Sequence, residues 1–368
     1  MDTVLTLICN PAAPVLSEEH LGGIGGWLDE QNCGALRRIL DPGVAVDFTF
    51  ELAAVRHASL LAGAREALAG APVDVVVQPA EGRRKRLLIA DMDSTIIGQE
   101  CIDELADCAG KRAEISAITE RAMRGDLDFE AALTGRVAML KGLPERVLQE
   151  TFERRIRLNP GAATLVQTMR KLGATTALVS GGFTFFTERV AAAAGFDMHQ
   201  ANRLIVESGA LSGDVARPIL GRAAKEEALI RIAREKGVAL SETLAVGDGA
   251  NDLSMLARAG LGVAFHAKPM VAASAHARIN YGVQYTLFRG NKWMLDNKTG
   301  YQNYIFGQRD SCRYNTFDRD TVLELPSSNA PAFIRFATSG TSWNALAPEP
   351  TTATRLPARS WRSSQSAE

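Results

Sequence analysis

The stretch Leu87-Leu88-Ile89-Ala90-Asp91-Met92-Asp93-Ser94-Thr95 decides the fold. Its apolar run, flanked by polar chain, reads as a strand buried on both faces, which places it in a parallel sheet covered by helices. It ends in two carboxylates two residues apart. Ligands of open α/β sheets collect beyond the carboxyl ends of the strands, so Asp91 and Asp93 would point into that crevice. A strand-ending turn is the competing reading, because Asp and Ser are ordinary turn formers.

Outward from this stretch, residues 87–281 keep alternating apolar runs with helical patterns, the signature of an α/β domain. Strands are predicted at Leu87–Asp91, Thr175–Ser180, Leu244–Gly247 and Leu261–Phe265. Residues 100–158 have no strand-like run and several helical ones (Gln99–Ala109, Ala113–Gly125, Phe129–Leu140), which reads as a helical insertion after the first strand. A hairpin is expected around Arg203–Leu211. Residues 1–80 read as a βαββαβ module, with strands at Val4–Cys9, Val46–Glu51 and Val73–Val77 and helices at Glu18–Gln31 and Ala54–Leu68. The basic run Arg83-Arg84-Lys85-Arg86 reads as a solvated linker rather than a nucleic-acid patch, since no aromatic residues are interleaved with it. Beyond Tyr281 the composition changes: all five tyrosines lie at 281 or later, as do three of the four tryptophans, and no regular period survives. Residues 338–368, rich in Ser, Thr, Pro and Arg, read as disordered.

The 368 residues, 46% hydrophobic and 23% charged, exclude collagen-like and wholly disordered chains. Forty-one basic residues against forty-two acidic ones leave a net charge of -1, which provides no general field for nucleic acid or an anionic membrane. A small-molecule partner fits this balance, and a homodimer stays open. Five cysteines, an odd number without a CxxC pair, indicate neither a disulfide framework nor a zinc cluster, and a cytoplasmic location fits best. No Lys or Arg precedes Arg37, so the basic opening of a signal peptide is lacking, and no 18-residue apolar run suggests a membrane span.

Two further strand ends carry chemistry. Ser180-Gly181-Gly182 offers a hydroxyl and open amides where an anion can approach, although such a string is also common in turns. Gly247-Asp248-Gly249-Ala250-Asn251-Asp252 again sets acids beside glycines. Oxygen donors without His or Cys suit Mg2+. Lys225 is the best candidate for a second positive charge, though taken alone it fits a solvated helix face. Cys101 and Cys108 fall on one helix face and read as packing, and His199 and His266 lack partners at metal-ligand spacing.

In this order and approximate spacing, DMDST at Asp91, SGGF at Ser180, ANRL at Ala201, Lys225 and GDGANDL at Gly247 resemble the haloacid dehalogenase superfamily, and within it the phosphoserine phosphatases. The resemblance covers residues 83–282; the first eighty residues more loosely resemble an ACT-like regulatory module. It implies a Rossmann-like parallel sheet with a helical cap over residues 100–158. It also implies Mg2+-dependent hydrolysis of O-phospho-L-serine, the last step of serine synthesis, with Asp91 as nucleophile and Asp93 as acid and then base. The implied metal ligands are Asp91, the Asp93 backbone carbonyl and Asp248, with Asp252 as ligand or supporting acid. Ser180, Gly181, Lys225 and Asn251 would hold the phosphoryl group, Glu100 the substrate's amino group and Arg136 its carboxylate. Phe129 and Met123 fit a hydrophobic wall, or simply helix core. A phosphatase for another small phosphomonoester, and a serine sensor with impaired catalysis, are the alternatives. Residues 283–368 depart from the family; they carry +3 against -4 for residues 1–282, as a shifted reading frame or a fused segment would.

Overall fold

The computed structural model describes residues 2–51, 57–124, 126–282, 335–339 and 342–346. The chain opens with β1 (Asp2–Cys9), α1 (Glu18–Glu30), β2 (Leu36–Asp41), β3 (Ala45–Glu51), α2 (His57–Ala67) and β4 (Val73–Pro79). All pairs are antiparallel and the strand order is β2-β3-β1-β4, the split βαβ arrangement. Alternate residues of the inner strands, including Leu5, Leu7, Val46 and Phe48, face Ile24, Leu28 and Leu60 of the two helices. The βαββαβ reading calls for a strand before β3 but gives it no residues; it is the edge strand β2. Its Arg37-Arg38 pair hides the apolar alternation, and Leu36 is 76% exposed.

The second unit starts with β5 (Leu87–Ala90) and passes into four helices, α3 (Cys101–Cys108), α4 (Arg112–Arg124), α5 (Phe129–Ala138) and α6 (Arg146–Arg155). It continues through α7 (Ala162–Lys171), β6 (Thr175–Phe183), α8 (Thr184–Ala194) and β7 (Met198–Asn202). The hairpin β8 (Leu204–Glu207) and β9 (Ala210–Val215) turns through Ser208 and Gly209, both at positive φ, as a tight two-residue hairpin requires. Then come α9 (Arg222–Glu235), β10 (Thr243–Gly247), α10 (Leu253–Arg258), β11 (Leu261–Phe265), α11 (Pro269–Ser274) and β12 (Ala277–Ile279). The six-stranded sheet is parallel throughout, in the order β12-β11-β10-β5-β6-β7. The four strands read from the sequence are present, and β7 and β12 extend the sheet at its edges.

Leu88 and Ala90 of β5 pack with Leu165 and Phe186 on one face, while Leu87 and Ile89 pack with Leu229 and Ile232 on the other. A strand buried on both sides is what the unbroken apolar run requires. From β5 the chain builds outward through β6 and β7, then crosses to β10 and builds the other way. The reversal puts a switch point beside β5, and the crevice beyond the carboxyl ends of β5, β6 and β10 is where this architecture binds ligands.

The basic run 83–86 is solvated at Arg84 and Arg86, as expected, but not at Arg83 and Lys85. Arg83, 3% exposed, bonds both Asp47 carboxylate oxygens at 3.0 and 3.3 Å. Lys85, 5% exposed, donates to the carbonyls of Gly82 and Ser241, each at 2.7 Å. Charge composition alone suggested solvent, but Arg83 finds the buried Asp47 and Lys85 the Ser241 carbonyl, partners that the local sequence does not reveal. The same junction holds Asp74 of β4, which accepts backbone N–H bonds from Asn280, Tyr281 and Gly282 at 2.8, 3.0 and 2.8 Å.

Most of the expectation for residues 283–368 lies outside the described residues. Within that region β13 (Arg335–Ser339) and β14 (Ser342–Leu346) form an antiparallel hairpin, a regular element where the composition suggested none. Among the described residues no helix is long and apolar enough to cross a membrane.

Candidate active site

Three adjacent strands carry the site. Asp91 follows β5, Ser180 lies near the end of β6, and Asp248 follows β10. After Asp91 the chain turns sharply: Ser94 has φ of +53°, a left-handed conformation that costs a non-glycine residue energy and recurs at functional turns. Asn159 holds this turn, its side chain donating to the Thr95 carbonyl at 2.7 Å and its backbone N–H to Ile96 at 2.9 Å.

One oxygen of Asp91, Oδ1, is engaged. It accepts the Met92 N–H at 2.8 Å and lies 2.7 Å from Lys225 Nζ. Among the described residues no hydrogen bond reaches its Oδ2. Lys225, on α9 and 1% exposed, also touches Asp252 Oδ1 at 2.6 Å. It is therefore no solvated helix residue. Burial opposes its charge, but Asp252 and Asp91 outweigh that and raise its pKa. Asp252 Oδ2 accepts the N–H groups of Asp248 and Gly249 at 3.2 and 3.1 Å, so both its oxygens are occupied by protein. Asp248 Oδ1 accepts from Thr95 at 3.0 Å. Asp93 accepts the Cys101 N–H at 2.9 Å on Oδ1 and the Ser180 hydroxyl at 3.4 Å on Oδ2.

These acids share one buried place. Oxygens of Asp91, Asp248 and Asp252 lie within 4.8 Å of one another. Burial, then Asp252, pushes Asp91 well above the usual carboxylate range; burial raises Asp93, and burial with Asp252 pushes Asp248 up to about 7. One lysine does not balance this many carboxyls. An oxygen-only donor set with unbalanced negative charge fits a hard divalent cation.

A cavity opens above the acids. Its floor is formed by Asp91, Asp93, Ser180, Gly181 and Asn251, and its cap side by Glu100, Phe129 and Arg136. Among the described residues Asn251 Oδ1 is buried with no hydrogen-bond partner, a costly arrangement that a ligand in the cavity would relieve. A Cβ on Gly182 would lie 2.8 Å from Asp93 Oδ2 and 3.1 Å from Ser180 Oγ, so only glycine permits this approach of the two strand ends. Glu100 accepts the Ser94 hydroxyl at 2.6 Å, and burial, with Asp93 next, pushes its carboxyl well up. Arg136, 4% exposed, donates from Nε to the Ala132 carbonyl at 3.1 Å and from Nη1 to Thr119 at 2.9 Å.

The chain matches the haloacid dehalogenase-like hydrolase family over residues 88–257. It is 46% identical over 202 residues to the phosphoserine phosphatase of Polaromonas sp., a match covering 54% of this chain and 86% of that protein. The phosphoserine phosphatase of Streptomyces coelicolor is 43% identical over 239 residues, 65% of this chain and 58% of that longer protein. The chain belongs to the phosphoserine phosphatase family of haloacid dehalogenase-like hydrolases. Among solved structures, a haloacid dehalogenase family hydrolase from Salmonella enterica serovar Typhi superposes with a TM-score of 0.68 at 30% identity, covering 81% of this chain and 99% of that one. A phospho-aspartyl intermediate analogue of phosphoserine phosphatase matches at 42% identity and a TM-score of 0.52, over 54% of this chain and 94% of that one. The Salmonella match is too long for the parallel-sheet unit alone.

Within this family frame, the structure brings Asp91, Asp93, Asp248 and Asp252 together with Glu100, Arg136, Ser180, Gly181, Lys225 and Asn251, around one cavity or directly beneath it. Lys225 and Asp252 lie below the floor, and their mutual contact with Asp91 is the part no local motif revealed. Phe129 lines the cavity; the Met123 side chain lies outside the described residues. Thr95, Asn159 and Asn202 were missed. Asn202 bonds the Gly181 carbonyl at 2.9 Å and both backbone groups of Leu220, tying the glycine turn to the segment that leads into α9. It lies within the ANRL string, where its presence was visible but its use was not. The discounted histidines stay outside: His199 bonds Thr187 and His266 stacks edge-on against Phe265.

Proposed function

We propose that the chain hydrolyses O-phospho-L-serine to L-serine and phosphate, with Mg2+ as cofactor, as the last step of serine synthesis. One observation carries this reading: a single cavity sets an acid, Glu100, and a base, Arg136, across from a floor of Asp91, Asp93, Ser180, Gly181 and Asn251. Phosphoserine has an ammonium and a carboxylate beyond its phosphate, and a guanidinium is suited to a carboxylate because it presents paired donors.

In the first half-reaction a carboxylate oxygen of Asp91 attacks phosphorus and the bond to the serine oxygen breaks, while Asp93 delivers its proton to that oxygen. The raised pKa of buried Asp93 supports its carrying a proton. In the second half-reaction water attacks phosphorus, Asp93 takes the water's proton, and the bond to Asp91 breaks. Ser180, the Gly181 N–H and Lys225 offset the charge on the transferring oxygens, and Asn251 orients them. A magnesium ion held by Asp91, the Asp93 carbonyl and Asp248, with Asp252 in support, would neutralise the repulsion between carboxylate and phosphate. Asp252 contributes chiefly by holding Lys225 and the amides of Asp248 and Gly249.

The test is phosphate release from phosphoserine by wild type and Asp91→Asn, with and without Mg2+. Turnover is expected from wild type with Mg2+ alone, and undiminished turnover by Asp91→Asn refutes the assignment.

A further inference from the structure

Arg136 does not stand alone in the cap. Its Nε is tied to the Ala132 carbonyl one turn back on α5, and Nη1 donates to Thr119 Oγ1 on α4 at 2.9 Å. Among the described residues no hydrogen bond reaches Nη2, so that nitrogen and the second proton of Nη1 are free to serve the cavity as a fork. Which way the fork points is decided by its one side-chain anchor, Thr119.

Thr119 is 3% exposed and has one proton to give. It lies 2.8 Å from Asp103 Oδ1 and 3.0 Å from the Ile115 carbonyl. Asp103 is on α3, and its other oxygen accepts the Ser116 hydroxyl of α4 at 2.6 Å. With Asp103 accepting its proton, the Thr119 oxygen turns its lone pairs to the guanidinium and becomes a stronger acceptor. The chain of bonds Asp103–Thr119–Arg136 thus crosses three helices and ends at the cavity wall.

We propose that Asp103, acting through Thr119, is a positioning residue that aims the Arg136 guanidinium at the substrate's carboxylate and so sets the preference for phosphomonoesters that carry one. This rests on the reading that Arg136 takes the carboxylate of phosphoserine. Among the described residues neither Asp103 nor Thr119 lines the cavity or bonds an acid of its floor; their effect is on the orientation of one side chain.

The experiment compares kcat/KM for phosphoserine with that for O-phosphoethanolamine, the same molecule without its carboxylate, so that the ratio isolates carboxylate recognition. Thr119→Val keeps the shape and removes the hydroxyl. It is expected to lower the ratio about tenfold, the size of one hydrogen bond to a charged group, chiefly through KM for phosphoserine. Asp103→Asn is expected to lower it less, and Thr119→Ser to restore it. In an Arg136→Ala background Thr119→Val is expected to have no further effect on the ratio. Equal losses on both substrates would mark Thr119 as structural and overturn the proposal, as would a further drop in the Arg136→Ala background. A wild type that does not prefer phosphoserine would refute the carboxylate role of Arg136 itself, and the positioning role with it; a preference that Thr119→Val leaves intact refutes the positioning role alone.

Discussion

Lys225 is the residue on which the charge balance of the site turns. Its ammonium lies 2.7 Å from Asp91 and 2.6 Å from Asp252, with all three side chains no more than 3% exposed. Lys225→Met keeps an unbranched chain of similar length and removes the cation. Asp91 and Asp252 then face each other across less than 4.8 Å with no positive charge between them. At an effective dielectric of about 20 that repulsion is roughly 3 kcal/mol, and breaking one partner from a buried ion pair costs about 3–5 kcal/mol. Asp91 can escape part of this by taking up a proton, so the deficit must grow with pH. The assay is urea unfolding of cation-stripped protein at pH 5 and pH 8. Lys225→Met is expected to lose about 3–5 kcal/mol at pH 8 and less at pH 5, and the double variant Lys225→Met/Asp252→Asn to recover about half of the loss, since one charge of the clashing pair is gone. A single variant within about 1 kcal/mol of wild type at pH 8, or a double variant no better than the single, would show that the lysine is not the counter-ion of this cluster.

The raised pKa values make a second prediction for wild type stripped of divalent ions. Asp248, moved from 3.8 to about 7, has its folded pKa above its unfolded one, so the stability it gives as a neutral group is complete below pH 4 and is lost as pH rises through 7. That change is at most about 4 kcal/mol, and Asp91 acts in the same direction. The melting temperature in chelator should fall between pH 5 and pH 8, and Mg2+ at pH 8 should raise it again; a flat profile unaffected by Mg2+ contradicts the cation reading. Gly182→Ala places a methyl 2.8 Å from Asp93 Oδ2 and should reduce kcat about a hundredfold by displacing that carboxyl, while the melting temperature changes little. Near-normal kcat would show that Asp93 tolerates the shift. Asp74→Ala strands three N–H groups at the junction and should cost about 3 kcal/mol in urea unfolding, with Asp74→Asn losing less; no loss would mean that the 280–282 turn holds itself.

The central strands were legible because their sequence is over-determined. Residues 87–90 lie between β6 and β10 with helices on both faces, so every position is apolar and the run cannot be mistaken for an amphipathic element. Edge strands have no such constraint. β2 and β7 read Leu-Arg-Arg-Ile-Leu-Asp and Met-His-Gln-Ala-Asn, because one side of each meets solvent and polar residues cost nothing there. The hairpin at 204–215 was recoverable from Ser208-Gly209, where backbone geometry restricts the residue choice.

In the site, the legible residues are those whose chemistry sits beside a strand end, where a short string contains both the element and the group it presents. Asp91, Ser180 and Asp248 are of this kind. What holds them in place is contributed from far along the chain: Asn159 reaches back sixty-four positions to Thr95, and Thr95 reaches one hundred and fifty-three forward to Asp248. The reading of the basic run failed at Arg83 and Lys85 for the same reason from the other side. A charged string read alone is solvated by default, and only the fold supplies Asp47 to Arg83 and the Ser241 carbonyl to Lys85. Burying either cation without its acceptor would cost several kcal/mol, so these distant partners are conditions for the motif residues to be where they are, not additions to them. The same dependence explains why Arg136 was recognisable and Thr119 was not: a guanidinium in a cap can be matched to a carboxylate by charge alone, whereas a threonine gains a purpose only when a second helix brings Asp103 to one side of it and Arg136 to the other.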